Sequence, residues 1–370
     1  MKQRLIIDVL AFEYGKSFGY QEYVLNLLDY FYTHRSDIPF ETIIIVSLES
    51  QRKYFDKYID RIQIKTYKCH SILGRLLIQS LMPLDLALKK HDLILYTANY
   101  SSLFKRCHHV LVIHDLLFKR KNLFPYNLMR FQREVYFPIS IKLADRIIAI
   151  SKFTASDIVH YYPNSRGKIS VVYNYFNFEK FPSMACGTQR HNNFISVCSM
   201  AFHKNTITVL EAFEEYCLRK GTFDLLLVGA LKKGTIQYER FEQMDVPIKN
   251  RVHIYDKISN SLLAELYQTS KAYISASLFE GLGMPIVEAM YFSLPVILSD
   301  YPVFHEVSMD RGLYYNPLNK DELVDKMFVI QSMKNIDFNY SDDIRNVYSA
   351  ENTSKRYIDI LNSFYIINRE

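Results

Sequence analysis

The sequence predicts an α/β protein built from two doubly wound, parallel-sheet domains, and three observations carry that expectation. Short apolar strands alternate with helical stretches along both halves of the chain, the pattern of a parallel sheet with helices on its faces. A polar stretch without periodicity, Phe181–Asn193, contains Pro182 and Gly187 and reads as a linker between the halves. The 370 residues are enough for two domains with separate cores.

Each element follows in order. Leu5–Val9 is a first strand, Gly15–Gly19 a glycine-bearing loop, and Tyr20–Tyr32 an amphipathic helix. Further strands are expected at Thr42–Ser47, Leu93–Tyr96, Val110–His114, Arg146–Ile150 and Ile169–Tyr173, with helices between most of them. After the linker the pattern restarts. Phe194–Cys198, Phe223–Val228, Val252–Tyr255, Ala272–Ala276 and Pro295–Leu298 read as strands, and Thr206–Lys220, Ser261–Thr269 and Pro285–Phe292 as helices. Helical sequence closes the chain at Asp321–Ser332 and Glu351–Tyr365. The expected division is a first domain over 1–180, a linker over 181–193, a second domain over 194–345 and, within 346–370, a helix crossing back to the first domain. Two such domains facing each other would leave a cleft, a common place for a small-molecule site.

Composition narrows the function classes. A hydrophobic share of 49% and a charged share of 23% are those of a globular protein. No apolar run is long enough to span a bilayer, and the opening MKQRLIIDVL reads as a strand rather than a leader. The five cysteines are scattered without a CxxC pair, the pattern of reduced thiols in a cytoplasmic protein. Cys107-His108-His109 reads as a surface cluster, since adjacent residues on an extended chain point to opposite faces and make a poor chelate. The net charge of +6 comes without a nucleic-acid-binding motif. Nucleic acid is therefore not an expected partner, and phosphorylated substrates or an anionic lipid surface are.

The chemistry concentrates in SASLFEGLGMPIVEAMYFSLPVILSDYPVFHEV, residues 275–307. Here a strand runs into Glu280, a glycine-containing turn, a helix opened by Pro285, and a second strand, which is one βαβ unit. Ligands of such sheets bind at the carboxyl ends of strands. Gly281 and Gly283 permit close approach of the backbone, and the helix start offers unpaired N–H groups suited to a phosphate. Glu280 and Glu288 would repel a phosphate but suit hydroxyls on either side of one, which points to a nucleotide sugar. On the residues alone a second reading stands beside this one: both acids complement the helix dipole, worth about 0.3–1 kcal/mol each. The dinucleotide glycine fingerprint is absent from this turn.

The segment EGLGMPIVEAM resembles the paired-glutamate motif of the retaining family 4 glycosyltransferases, with Glu, seven residues and Glu around internal glycines and a proline. Other segments resemble that family in its order. They are IIDVLAFEYGKSFGYQEYVLNLL, VIHDL, LADRIIAISKFTASDIV, VVYN and AFHKNTITVLEAF, with PVILSD and Glu306 downstream. The resemblance implies the GT-B fold, two facing Rossmann-like domains with an interdomain cleft. It implies that Glu280 contacts the donor sugar, Glu288 holds the ribose hydroxyls, and the backbone of Gly281, Leu282, Gly283 and Met284 cradles sugar and phosphate. It places the loop around Gly19 beside the diphosphate, His114 near the sugar as a hydrogen-bond donor, and Lys204 on the diphosphate with His203 assisting. Ser199 stands where the family's basic motif usually has an arginine, Asp256 and Ser293 replace glycines, and Ala350 replaces a tryptophan.

The expectation is therefore a retaining hexosyltransferase using a nucleotide-diphosphate sugar, with mannose the first choice. Its acceptor would be a glycan, expected to be a lipid-linked oligosaccharide of bacterial O-antigen or capsule. No cofactor and no metal are expected. A nucleotide-sugar epimerase or a non-catalytic donor-binding homologue of the same architecture are the alternatives. The segments Ile72–Lys90 and Leu117–Arg133 carry basic and apolar residues together. They suggest a peripheral contact with an anionic membrane at its cytoplasmic face, against the plainer reading of solvated helix faces and core.

Overall fold

The computed structural model describes residues 3–15, 18–124, 127–181, 189–197, 199, 201–229, 231–333 and 339–367. The expected linker at 181–193 falls mostly outside these residues, as do Cys186 and Cys198. The chain divides into two compact units, one of Met1–Phe176 with Tyr348–Glu370 and one of Asn177–Val347.

In the first unit the elements run β1 (Arg4–Asp8), α1 (Phe18–Thr33), β2 (Thr42–Leu48), β3 (Gln63–Tyr67), α2 (Ile72–Asp85), β4 (Leu93–Tyr96), β5 (His108–Ile113), α3 (Leu128–Leu143), β6 (Arg146–Ala149), α4 (Lys152–Tyr161) and β7 (Ile169–Val171). The second unit continues with β8 (Asn193–Val197), α5 (Thr206–Leu218), β9 (Asp224–Val228), α6 (Ile236–Glu242), α7 (Val246–Lys249), β10 (Val252–Tyr255), α8 (Asn260–Thr269) and β11 (Ala272–Ser275). It then adds α9 (Met284–Tyr291), β12 (Val296–Ser299), α10 (Pro302–Ser308), β13 (Leu313–Tyr315), α11 (Lys320–Ser332) and α12 (Ser341–Tyr348). The last helix, α13 (Ala350–Ile367), belongs to the first unit, where the Tyr357 hydroxyl lies 3.1 Å from that of Tyr23 on α1.

Both sheets are wholly parallel among the described strands, in the orders β3-β2-β1-β4-β5-β6-β7 and β10-β9-β8-β11-β12-β13. Each sheet begins at a central strand, grows to one edge, then resumes on the other side of its first strand. The order reverses between β1 and β4 in one unit and between β8 and β11 in the other. The central strands are buried on both faces, so they read as apolar runs such as TIIIVSL in β2 and HHVLVI in β5. Phe213, Tyr216, Leu225, Leu227 and Met327 fill the second unit's core, while Met82, Leu111, Phe137 and Ile158 pack on one face of the first sheet.

Several expectations are corrected. The strands β3 and β13 and the helices α6, α7, α10 and α12 are additional. At an edge of its sheet, β3 carries QIKTY, and half-exposed residues of that kind have no apolar run to betray them. β13 is only three residues long at the opposite edge of the other sheet. Pro83 lies inside α2, which continues to Asp85. Proline is tolerated there because the helix is about to end and little of the ladder is lost. Cys107 and His109 are not on the surface. Alternation at the start of β5 buries both, and His109 meets the ring of Tyr96 at 5.0 Å, edge to face. No group of three metal-ligating side chains occurs among the described residues.

Candidate active site

The second unit brings its two charged candidates together at its strand-order reversal. β8 leads into a short turn carrying His203 and Lys204, and Asn205 adopts a left-handed conformation (φ 52°) before α5 begins. β11, which pairs with β8, leads into the turn that carries Glu280. The Leu278 N–H donates to the His203 carbonyl at 2.7 Å, fastening one turn to the other. The Lys204 ammonium then lies 2.5 Å from Glu280 Oε1, with the two side chains 23% and 15% exposed. Both carboxyl-end turns therefore meet at the point where open α/β sheets bind ligands.

The helix after Glu280 supplies a glycine-capped start and a second acid. Gly283 caps α9 with φ 94°, a conformation costly for any residue with a Cβ, and a Cβ there would come within 3.2 Å of Ile286. Neither Gly283 nor Asn205 offers a side-chain cap to its helix. Backbone carbonyls take two first-turn N–H groups, Thr208 to Asn205 at 3.1 Å and Ile286 to Gly283 at 2.9 Å, and Pro285 has none, so the N–H groups ahead of them, of Thr206, Ile207 and Met284, are the ones placed to suit an anion. Leu282 is buried, Met284 half-buried, and Pro285 occupies the first turn of α9. Glu288, one turn into that helix, accepts a hydrogen bond from the Tyr267 hydroxyl at 3.0 Å. Tyr267 is fully buried on α8, and burial followed by the Glu288 charge raises its hydroxyl far above the usual tyrosine range. A hydrogen bond to a charged group is worth about 1.5–3 kcal/mol, more than the dipole effect alone.

The first unit has its own cluster at its reversal, between β1 and β4. Thr97 joins the strand ends: its hydroxyl donates to the Asp8 carbonyl at 2.6 Å and accepts from Tyr20 at 2.7 Å. The Thr97 carbonyl takes the Nε2–H of His114 at 2.8 Å, while the His114 backbone N–H donates to Asn99. Tyr20 and Tyr23 both set ring edges against the His114 imidazole, 5.4 and 4.8 Å away. Burial pulls that imidazole below its ordinary pKa. The expectation that His114 donates to a sugar therefore meets a constraint. Nε2–H is already committed, which leaves Nδ1 of the neutral ring as an acceptor. Asp8 accepts from the Leu10 N–H and from Gln79, and burial pushes its carboxyl up to about 6.

Gly19 is placed differently from the expectation. It lies in the first turn of α1 rather than in a loop, and nothing stands within 4 Å of where its Cβ would be. Part of Leu117–Arg133 is packed into the unit: Phe118 is buried, Arg120 pairs with Asp157 at 2.7 Å, and buried Arg130 pairs with Glu134, while Phe131 stays exposed. Tyr267, Thr97 and Tyr20 escaped the sequence reading. The available signal for Tyr267 was a tyrosine on the buried face of a short helix, whose hydroxyl must find an acceptor.

The family model described as Glycosyltransferase Family 4 matches residues 21–180, and that described as Glycosyl transferases group 1 matches 188–337. The O-antigen chain mannosyltransferase RfbU of Salmonella typhimurium is 29% identical over 191 residues, covering 50% of this chain and 52% of that protein. The serotype-specific mannosyltransferase WbdA of Escherichia coli is 29% identical over 229 residues, 55% of this chain and 27% of its own. The chain thus spans about half or less of the length of these relatives. Among solved structures, a glycosyltransferase from Rickettsia africae superposes with a TM-score of 0.71 at 18% identity, covering 98% of this chain and 99% of that one. Anabaena Alr3699/HepE, solved in complex with UDP, gives 0.70 at 15% identity, with 98% and 100% covered. Likeness at these identities speaks for the fold, and the two family models together cover most of the chain. The chain belongs to the group 1, family 4 glycosyltransferases, with two Rossmann-like domains of the GT-B fold.

Proposed function

We propose that this glycosyltransferase moves a hexose, mannose from GDP-mannose, onto a lipid-linked oligosaccharide of a bacterial surface polysaccharide, with retention of anomeric configuration. One observation carries the reading: Lys204 and Glu280 meet at the carboxyl ends of the adjacent strands β8 and β11, beside the start of α9. The names of the mannosyltransferase relatives support the choice of sugar and of an O-antigen acceptor. The first unit takes the acceptor, Gly19 and His114 keep the roles the resemblance gives them, beside the diphosphate and near the sugar, and the enzyme works at the cytoplasmic face of the membrane. No helix among the described residues is long and apolar enough to cross a membrane.

In this scheme the diphosphate leaves with its charge met by Lys204, assisted by His203, and by backbone N–H groups over Gly281–Met284 at the start of α9. Fixed donors of this kind supply the largest catalytic effect in many enzymes. An ammonium has three donors, so Lys204 keeps Glu280 while binding phosphate. Glu280 holds sugar hydroxyls and Glu288 the ribose. The acceptor hydroxyl attacks from the face the diphosphate leaves, through a short-lived oxocarbenium-like ion pair. A panel of nucleotide sugars tests the reading, with thermal stabilisation, nucleotide release and the product's anomeric proton coupling as readouts. Release of GDP only when a glycan acceptor is present, with an α-linked product, is the expected result. Conversion of the sugar without acceptor would instead make the protein an epimerase. Stabilisation without turnover would make it a donor-binding homologue.

A further inference from the structure

The outer faces of α2 and α3 carry apolar side chains that the fold leaves in solvent. On α2, Leu73, Leu77, Leu81 and Leu84 recur at helical spacing, while Leu76, Met82 and Pro83 face inward and are buried. A helix apolar on both sides is expected in a core or against a membrane, not at a water surface. On α3, Phe131, Val135 and Ile139 form a second stripe, which exposed Lys142 continues. These seven apolar side chains are between 37 and 60% exposed.

The two helices share a neighbour. The segment between β4 and β5 is bonded to both helices: the Ser102 hydroxyl donates to the Ser80 carbonyl on α2 at 3.0 Å, and the Ser101 N–H donates to the Ser140 hydroxyl on α3 at 2.9 Å. Phe104, whose own N–H donates to Ser102 Oγ, stands on that segment 52% exposed. Both stripes and Phe104 thus lie on elements fastened to one segment, and together they exceed the scattered exposed leucines of any protein.

The charge around them is one-sided. Each nearby acid already has a partner: Asp85 has Lys65 and Tyr67, Glu134 has Arg130, and Asp145 has Lys105. Exposed Lys89, Lys90, Arg106 and Lys142 have no acidic partner within salt-bridge distance among the described residues. The 14 residues of α2 extend about 21 Å, shorter than the roughly 30 Å bilayer core. Such a helix lies along a bilayer and cannot cross it.

We propose that this face of the first unit docks on an anionic lipid bilayer. The α2 and α3 stripes and Phe104 enter the boundary between headgroups and acyl chains, and Lys89, Lys90, Arg106 and Lys142 meet the headgroup phosphates. A second copy of the chain fits less well, because an isologous contact would set these cations against each other. The inference rests on the proposed lipid-linked acceptor, which docking would bring within reach.

The chain contains no tryptophan, so a single introduced one reports without background. Leu77→Trp and Val135→Trp probes, with Leu218→Trp on α5 as control, are mixed with vesicles of phosphatidylcholine alone or with phosphatidylglycerol added. Blue-shifted emission is expected for the first two probes only, only with phosphatidylglycerol, and fading as salt rises. Flotation of the paired variants Leu77→Ser with Leu81→Ser, and Lys89→Gln with Lys90→Gln, is expected to show binding at least about tenfold weaker than wild type. Circular dichroism checks that these variants fold. No shift with any vesicle, an equal shift of all three probes, or a shift that tracks protein concentration without lipid would overturn the proposal. GDP stabilisation is measured on the same samples. If it is absent from the wild type while the probes still shift, the functional reading fails and the docking surface stands.

Discussion

The two units share a topology and use it in opposite ways. Each sheet reverses its strand order beside its first strand, and each gathers polar side chains at the carboxyl ends there. In the first unit these groups satisfy one another, with Thr97 bonded to Asp8, Tyr20 and His114. In the second they are a charged pair, Lys204 and Glu280, beside two helix starts without side-chain caps. The first arrangement is hydrogen-bonded to itself, and the second sets a cation and an acid beside those helix starts. Function thus follows the side chains placed on a fold rather than the fold itself.

The largest effect expected from breaking this contrast is at Lys204. Lys204→Ala removes the fixed cation from the second unit's site, and acceptor-dependent nucleotide release should fall about 100- to 1,000-fold. A fall no greater than that of an equivalent surface lysine would dissolve the distinction between the two reversals. Next is Glu288→Ala, which should weaken GDP binding by roughly ten- to a hundredfold in calorimetry, the range of a charged hydrogen bond. Unchanged affinity would refute the ribose role. Tyr267 acts through Glu288, so Tyr267→Phe should raise KM about three- to tenfold and leave kcat nearly unchanged. A matching loss of kcat would mean that α8 reaches the reacting atoms.

The smallest effect sharpens the other side of the comparison. Burial raises the Asp8 carboxyl to about 6, above its ordinary value near 3.9. The folded state therefore keeps a proton that the unfolded chain has released, so Asp8 lowers stability as pH rises from about 4 through about 6. Asp8→Asn stays neutral and should flatten that part of the Tm profile. An unchanged slope would place the titrating group elsewhere.

Much of this was legible in the chain. The buried strands announced themselves as apolar runs, and Gly283 and Pro285 marked a helix start after a strand. What stayed hidden was of two kinds. Edge strands such as β3 are half solvent-exposed and carry no periodic signal. Contacts between distant elements, such as Tyr267 with Glu288 or His114 with Thr97, depend on which strands become neighbours, and residue spacing does not encode that. The same holds for the segment around Phe118 and Arg120. Its basic and aromatic pattern looked like a surface, and its partner Asp157 lies on another helix.

The pairing of Lys204 with Glu280 is the central claim, and Glu280→Gln tests it most directly. The amide keeps the shape of the side chain but no longer holds the ammonium by charge, so Lys204 is left to a diphosphate. Calorimetry with GDP and acceptor-dependent turnover are measured on the same preparation. GDP affinity equal to or tighter than wild type, with turnover reduced at least about a hundredfold, is the predicted result. Loss of GDP binding in parallel with turnover, or turnover left intact, would contradict the account.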